Sequence, residues 1–206
     1  MPPSEPVDGK APPQPVLAGR RLRLRPTGDA EIEFVVDLER HSENADYIEQ
    51  WSHDAHRSCI RSADCTHWVI EELHTGDPVG FVVLEGHCDP NDSLLLRRLV
   101  IARKGRGFGK EAVALLTGYC FEVLAFHRLW LTVLKGNEPA RRLYRRLGFV
   151  TEGVSRDSVK EDDHYLSMYV MSMLAPEYPD SQASREAHWR DNAGHPAPQD
   201  TGRTQP

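Results

Sequence analysis

The sequence predicts one α/β domain built on a mixed, mostly antiparallel β-sheet flanked by helices. Three observations lead there. Short apolar runs bounded by Gly, Pro, Asn and Asp recur along the chain, as strands do. Two of them, His67–Leu73 and Pro78–Glu85, are joined by His74-Thr75-Gly76-Asp77 and read as a hairpin. A third, Leu94–Ala102, runs into a glycine-rich loop, an apolar helix and a further strand, a succession that makes a parallel pair with a crossover.

A chain of 206 residues fits one such domain with tails. Its net charge of -6 argues against nucleic acid as a partner. No charge-free apolar run reaches the roughly 18 residues that would span a membrane. Met1–Glu5 lacks the basic start and apolar stretch of a secretory signal. Cys59, Cys65, Cys88 and Cys120 form no Cys-x-x-Cys pair, so the expectation is four reduced thiols in a cytoplasmic protein. Proline-rich, apolar-poor composition marks 1–15 as a disordered N-terminal tail. Polar composition does the same for 176–206, which leaves 16–175 as the folding domain.

Within that domain, Arg21–Arg25 alternates polar and apolar residues up to Pro26 and reads as the first strand. Asp29 is placed to cap a helix carrying Ile32, Phe34, Val35, Val36 and Leu38. Residues 40–64 are poorly periodic, with a short helix around Ala45–Trp51, and such a segment suits a substrate-binding loop. After the hairpin, Asp89-Pro90-Asn91-Asp92 turns the chain into Leu94–Ala102. The helix from Phe108 to Leu124 is apolar on most sides and is expected to be buried. Arg128–Val133 is the next strand. Asn137, Glu138 and Pro139 open a helix whose Ala140, Leu143, Tyr144 and Leu147 share one face, with Arg141, Arg142, Arg145 and Arg146 turned to solvent. Gly148 ends it. Phe149–Ser155 and His164–Met173 close the domain around the acidic turn Glu161-Asp162-Asp163.

The chemistry centres on Lys104-Gly105-Arg106-Gly107-Phe108-Gly109-Lys110. A strand that stops at alternating glycines and restarts as a helix gathers backbone N–H groups round one point. The helix dipole favours an anion there, and the basic residues add charge. A nucleotide P-loop is disfavoured because Glu111 stands where Ser or Thr would reach magnesium. A dinucleotide fingerprint fails because the third glycine comes one residue early. Elsewhere, His53, His56 and Cys59 fall three apart, but with no fourth ligand they read as scattered surface residues, and no metal is expected.

Three blocks stand in a fixed order: the Lys104–Gly109 loop, Asn137-Glu-Pro-Ala140, and Leu143-Tyr144 with Leu147-Gly148-Phe149. This set resembles the GCN5-related N-acetyltransferase (GNAT) superfamily over roughly Arg21–Met173. The stretch Ala125–Gly153 looks like the branch that includes ribosomal-protein and polyamine acetyltransferases. Lys104 replaces the usual Gln or Arg and keeps the cation. The resemblance implies acetyl-CoA as co-substrate, held between parallel strands that splay apart, 94–102 and 129–133. Leu99, Val100 and Ile101 would meet the pantetheine arm, and Lys104–Lys110 the pyrophosphate. Asn137 would reach the pantetheine or simply cap its helix, and Tyr144 would protonate the leaving thiolate. One of the four helix arginines would be free to meet the 3′-phosphate of CoA.

The implied acceptor is a primary amine of a small molecule or peptide. Relatives bring it in between segments matching Glu43–Asp64 and Asp157–Asp163, whose carboxylates suit a cation. Leu94–Leu99 lacks the glutamate that many relatives use as general base. Asp92, Glu85, His164 and a water chain remain open. A homodimer is also left open, since relatives often dimerise. The rival reading is a non-catalytic acyl-CoA-binding module.

Overall fold

A computed structural model describes residues 14–178. The two expected tails lie almost wholly outside the described residues. Eight strands form one sheet in the order β1-β2-β3-β4-β5-β6-β8-β7, and every neighbouring pair is antiparallel except β5 with β6. They are β1 (Leu17–Ala18), β2 (Leu22–Pro26), β3 (Cys65–Glu72), β4 (Pro78–Glu85), β5 (Ser93–Ile101), β6 (Arg128–Leu134), β7 (Val150–Glu161) and β8 (His164–Leu174). Helices α1 (Ile32–Arg40), α2 (Ser42–Ala45) and α3 (His53–Arg61) precede β3; α4 (Phe108–Gly118) and α5 (Glu138–Arg146) flank β6.

The sheet divides the interior in two. The larger cluster joins Leu22, Leu24, Trp68, Leu94, Leu96, Leu129 and Leu131 of the sheet to α4 and to Tyr144 and Leu147. The smaller joins Val35, Leu38, Cys59 and Cys65 to Phe81, Val83 and Val100. Strands β3 and β4 are buried along nearly their whole length, which is why both read as continuous apolar runs.

Several local expectations are corrected. Gly28, not Asp29, starts the first helical turn; its N–H donates to the Glu31 carboxylate at 2.8 Å. The helix expected around Ala45–Trp51 lies later, at α3, where the Ser52 hydroxyl accepts the Ala55 N–H at 3.2 Å. Helix α4 gives way to a wider π-turn at Tyr119–Val123, and β7 runs past Ser155 through two irregular registers.

Cys59 and Cys65 are not free thiols. The last turn of α3 and the first residue of β3 bring their Cα atoms to 5.5 Å, and they form a disulfide. Cys88 and Cys120 are free. No helix among the described residues is long and apolar enough to cross a membrane.

Candidate active site

Strands β5 and β6 pair only at Ser93, Leu94 and Leu95, opposite Arg128, Leu129 and Trp130. Beyond Leu95 they part. The register between β4 and β5 slips there too: Val83 faces Arg98 while Leu84 faces Leu96, which leaves Arg97 as the extra residue of a bulge. Leu94 and Leu96 belong to the α4 side, and so do Leu99 and Ile101, whereas Arg98 and Val100 face α1 and α3. The Ala102 N–H donates to Val79 at 2.8 Å. By alternation, the backbone of Val100 is turned to β4, and the N–H and C=O groups of Leu99 and Ile101 face the gap left by β6. Gly80 makes the β4 contact possible, because a Cβ there would sit 2.3 Å from the Val100 carbonyl oxygen.

The gap opens onto the glycine loop. Gly107, at φ +76°, turns the chain into the first residue of α4, a conformation that an L side chain resists. Glu111, which disfavours a nucleotide P-loop, has a structural task. Its carboxylate accepts the Arg21 and Leu22 N–H groups at 2.7 and 3.1 Å and pairs with the Arg21 guanidinium. Arg21 in turn donates to the Arg106 carbonyl at 2.8 Å and lies over the Phe108 ring. The loop is thereby tied to β2 before any ligand arrives. Gly109 lies where a Cβ would be 3.3 Å from Leu143 of α5. Lys104 reaches away to α2, donating to the Glu43 carbonyl at 2.6 Å, and Arg103 pairs with Glu72 and Asp77. Arg106 and Lys110 form no ion pair among the described residues.

Helix α5 leaves the far end of β6. The Asn137 side chain accepts the Ala140 N–H at 3.1 Å, so it does act as a helix cap. Tyr144 is buried in the larger cluster, edge-on to Phe149 at 5.6 Å, and burial pushes its phenol well above the usual tyrosine range. Arg142, Arg145 and Arg146 are exposed as expected. Arg141 is half-buried, stacked on Tyr169 at 4.1 Å and paired with Glu138.

On the opposite face the bulge points Arg97 and Arg98 the same way. Arg98 and Glu39 form a fully buried ion pair at 3.0 Å. Glu39 continues into a chain of imidazoles. His56 Nε2 lies 3.5 Å away, His56 Nδ1 is 3.0 Å from His67 Nε2, and His67 Nδ1 is 2.9 Å from the Thr27 hydroxyl. Burial, with His56 and Arg98 nearby, lowers the His67 pKa to about 3, so the ring is neutral. His56 is thus a core residue of α3, not a surface one. Among the described residues no group of His, Cys, Asp and Glu is placed to hold a metal. Sequence reasoning missed this network: its members are scattered over 72 positions, and only the adjacent Arg97-Arg98 inside an apolar strand hinted at it.

Residues 21–150 match the family model described as an acetyltransferase (GNAT) domain. The chain belongs to the GNAT family of acetyltransferases. This acetyltransferase is 26% identical over 147 residues to the spermidine N(1)-acetyltransferase of Escherichia coli (strain K12), covering 64% of its own chain and 74% of that protein. It is 25% identical over 141 residues to a spermine/spermidine N(1)-acetyltransferase of Bacillus subtilis (strain 168), covering 64% and 90%. Its fold matches that of a Vibrio cholerae spermidine N-acetyltransferase in complex with CoA and spermine, at TM-score 0.69 and 24% identity over 77% of this chain and 98% of that one. Mycobacterium smegmatis RimJ in complex with CoA-disulfide matches at TM-score 0.70 and 19% identity, over 82% and 90%. The expected splayed, mostly antiparallel sheet is therefore the family's own.

The acetyltransferase's candidate bases are placed as follows. The Asp92 carbonyl receives the N–H groups of His127 and Arg128, which fixes the start of β6. Glu85 ends β4, 3.8 Å from Arg97. His164 is exposed at the β7–β8 tip beside Glu161. Several carboxylates counted as an acidic mouth are already paired: Glu43 with Lys104, Glu49 with Arg97, and Asp54 with Arg57. The acidic turn at 161–163 is less paired: among the described residues Glu161 meets His164, and Asp162 and Asp163 form no ion pair.

Proposed function

We propose that this enzyme moves an acetyl group from acetyl-CoA to a primary amine, preferably a cationic small molecule or peptide end, by direct attack on the thioester. One observation carries the reading: past Leu95, β5 has no strand partner on the β6 side among the described residues, and this open edge runs straight into a pre-tied glycine loop. An amide-rich arm suits such an edge, and a pyrophosphate suits the N–H groups at the start of an 11-residue helix. Leu99 and Ile101 would pair with the pantetheine amides, with Val100 packing behind them. Gly105–Lys110 would hold the pyrophosphate, with Arg106 and Lys110 supplying charge. Asn137 would border the arm from the far strand.

The transfer asks three things of the protein. A backbone N–H of the open edge can stabilise the oxyanion that forms when the amine adds to the carbonyl carbon. When the C–S bond breaks, the thiolate needs a proton. Tyr144 would give it: burial keeps the phenol protonated, and the same dry surroundings raise the basicity of a thiolate released beside it. The attacking amine must be neutral, and its proton leaves to Glu85 or to water. Matches to polyamine acetyltransferases and the 161–163 turn both support a cationic acceptor.

The test is acceptor profiling. Acetyl-CoA is offered with spermidine, spermine, amino sugars, amino acids and peptide N-termini, and free thiol release is followed. Turnover is expected, fastest with a polycationic amine. The carboxylate-free β5 favours a second reading, a non-catalytic acyl-CoA-binding module. Tight CoA binding without thiol release across the whole panel would select it.

A further inference from the structure

Where β5 leaves β6, the bulge sends two consecutive arginines to the α1–α3 face, and both meet the segment between α2 and α3. Arg98 donates to the Glu49 carbonyl, and its guanidinium lies 3.9 Å from the Trp51 ring centroid. Arg97 pairs with the Glu49 carboxylate at 3.2 Å. Beneath them Glu39 is engaged through both oxygens. One pairs with Arg98, and the other accepts the Trp51 N–H at 2.8 Å.

This is a costly arrangement to bury. Arg98 and Glu39 side chains are 2% and 0% exposed, and a buried ion pair of this kind is weak evidence for stability, since apolar residues of equal volume often serve as well. Its geometric result is more specific. Apart from half-buried Ile48 and Trp51, residues 46–52 offer little apolar surface to hold them, yet a backbone carbonyl, a backbone N–H and an aromatic face are all fixed to one ion pair. The segment so fixed abuts the bulge, two residues from the last β5–β6 pair.

We propose that Arg98 and Glu39 are positioning residues that clamp the 46–52 segment beside the strand opening, so that Trp51 and Glu49 form a fixed wall against which the acceptor amine binds. The inference rests on the acetyltransfer reading for its last step, and on geometry alone for the clamp. Arg98→Lys keeps the charge opposite Glu39 but loses the planar face on Trp51 and the forked donation. Glu39→Gln keeps the Trp51 hydrogen bond and loses the charge.

Two measurements on the full chain separate the parts. Residue-resolved amide exchange reads the clamp without any substrate. In Arg98→Lys, amides of 46–52 should exchange at least about tenfold faster while those of β4 hold their protection. Steady-state kinetics with spermidine as the probe acceptor reads the consequence. The spermidine KM should rise about tenfold or more in both variants, with kcat and the acetyl-CoA KM changed less than about threefold. A merely structural pair would lower the active fraction and kcat and leave the KM alone. Unchanged exchange over 46–52 overturns the clamp, and an unchanged spermidine KM overturns its role in acceptor binding. If the wild-type chain acetylates no amine, the acetyltransfer reading and the acceptor role fall together, while the exchange result still decides the clamp.

Discussion

The two faces of the sheet are built on different principles. On the α4–α5 face the interior is apolar, and the groups we propose for chemistry are main-chain, the edge of β5 and the N–H groups of the glycine loop, with Tyr144 as the one side chain beside them. On the α1–α3 face a smaller apolar cluster is threaded by charge and imidazole, from Arg98 through Glu39 and His56 to His67 and Thr27. A ligand whose shape is constant can be met by backbone, which is rigid and needs no particular side chain. A segment that must hold one position without a large core needs directional side-chain bonds. The first face should break when sterics change, and the second when charge or protonation changes.

The largest effect is expected on the first face. Gly109→Glu puts a side chain and a negative charge at the loop, against Leu143 and the pyrophosphate position. Calorimetry should find acetyl-CoA binding at least ~100-fold weaker, about 2.7 kcal/mol, with the fold intact. Unchanged affinity in a folded variant would dissolve the contrast between the faces. Next comes Tyr144→Phe, which keeps the ring against Phe149 and removes only the proton donor. Turnover should fall roughly 10²-fold with acetyl-CoA affinity unchanged. A wild-type rate would return Tyr144 to the core.

The second face predicts a pH signature. His67 binds its proton only near pH 3 in the fold and near 6.5 when unfolded, so the unfolded chain binds more protons between those values. The stability this group contributes is complete well above pH 6.5 and is lost as pH falls through 6.5 toward 3. From pH 6.5 to 5 the loss is about 1.6 kcal/mol, or roughly 3–6 °C in Tm for a domain of this size. His67→Gln should flatten that part of the Tm profile. The same slope in the variant would show that the buried imidazole is not its source. The smallest effect is expected at the β7–β8 tip. Neutralising Glu161, Asp162 and Asp163 to Gln and Asn should lower kcat/KM for spermidine about threefold at low salt, and less at high salt. A salt-independent or unchanged value would remove the tip from acceptor steering.

Legibility followed the same division. Strand β4, the Lys104–Gly109 loop and the start of α5 were readable because periodicity, glycine placement and a cap each leave a local mark. The α1–α3 face was not. Its helix α3 was misplaced because half of its buried residues are polar: His56 is held by a strand residue 11 positions on. The Cys59–Cys65 bridge was unreadable for a similar reason, since six residues of separation suit a disulfide only once a helix end and a strand start are side by side. The bulge at Arg97 was equally hidden. One extra residue in a strand is invisible until its partner's register is known.

The open backbone edge of β5 is the surface we propose for acetyl-CoA. Amide exchange resolved at Leu99, Val100 and Ile101, with and without CoA, tests it most directly. CoA should protect the amides of Leu99 and Ile101, which face the gap, along with those of the glycine loop. Val100, bonded to β4, should be protected already and change little. CoA that binds without altering exchange at Leu99 and Ile101 would contradict the claim, and would move the binding surface elsewhere on the molecule.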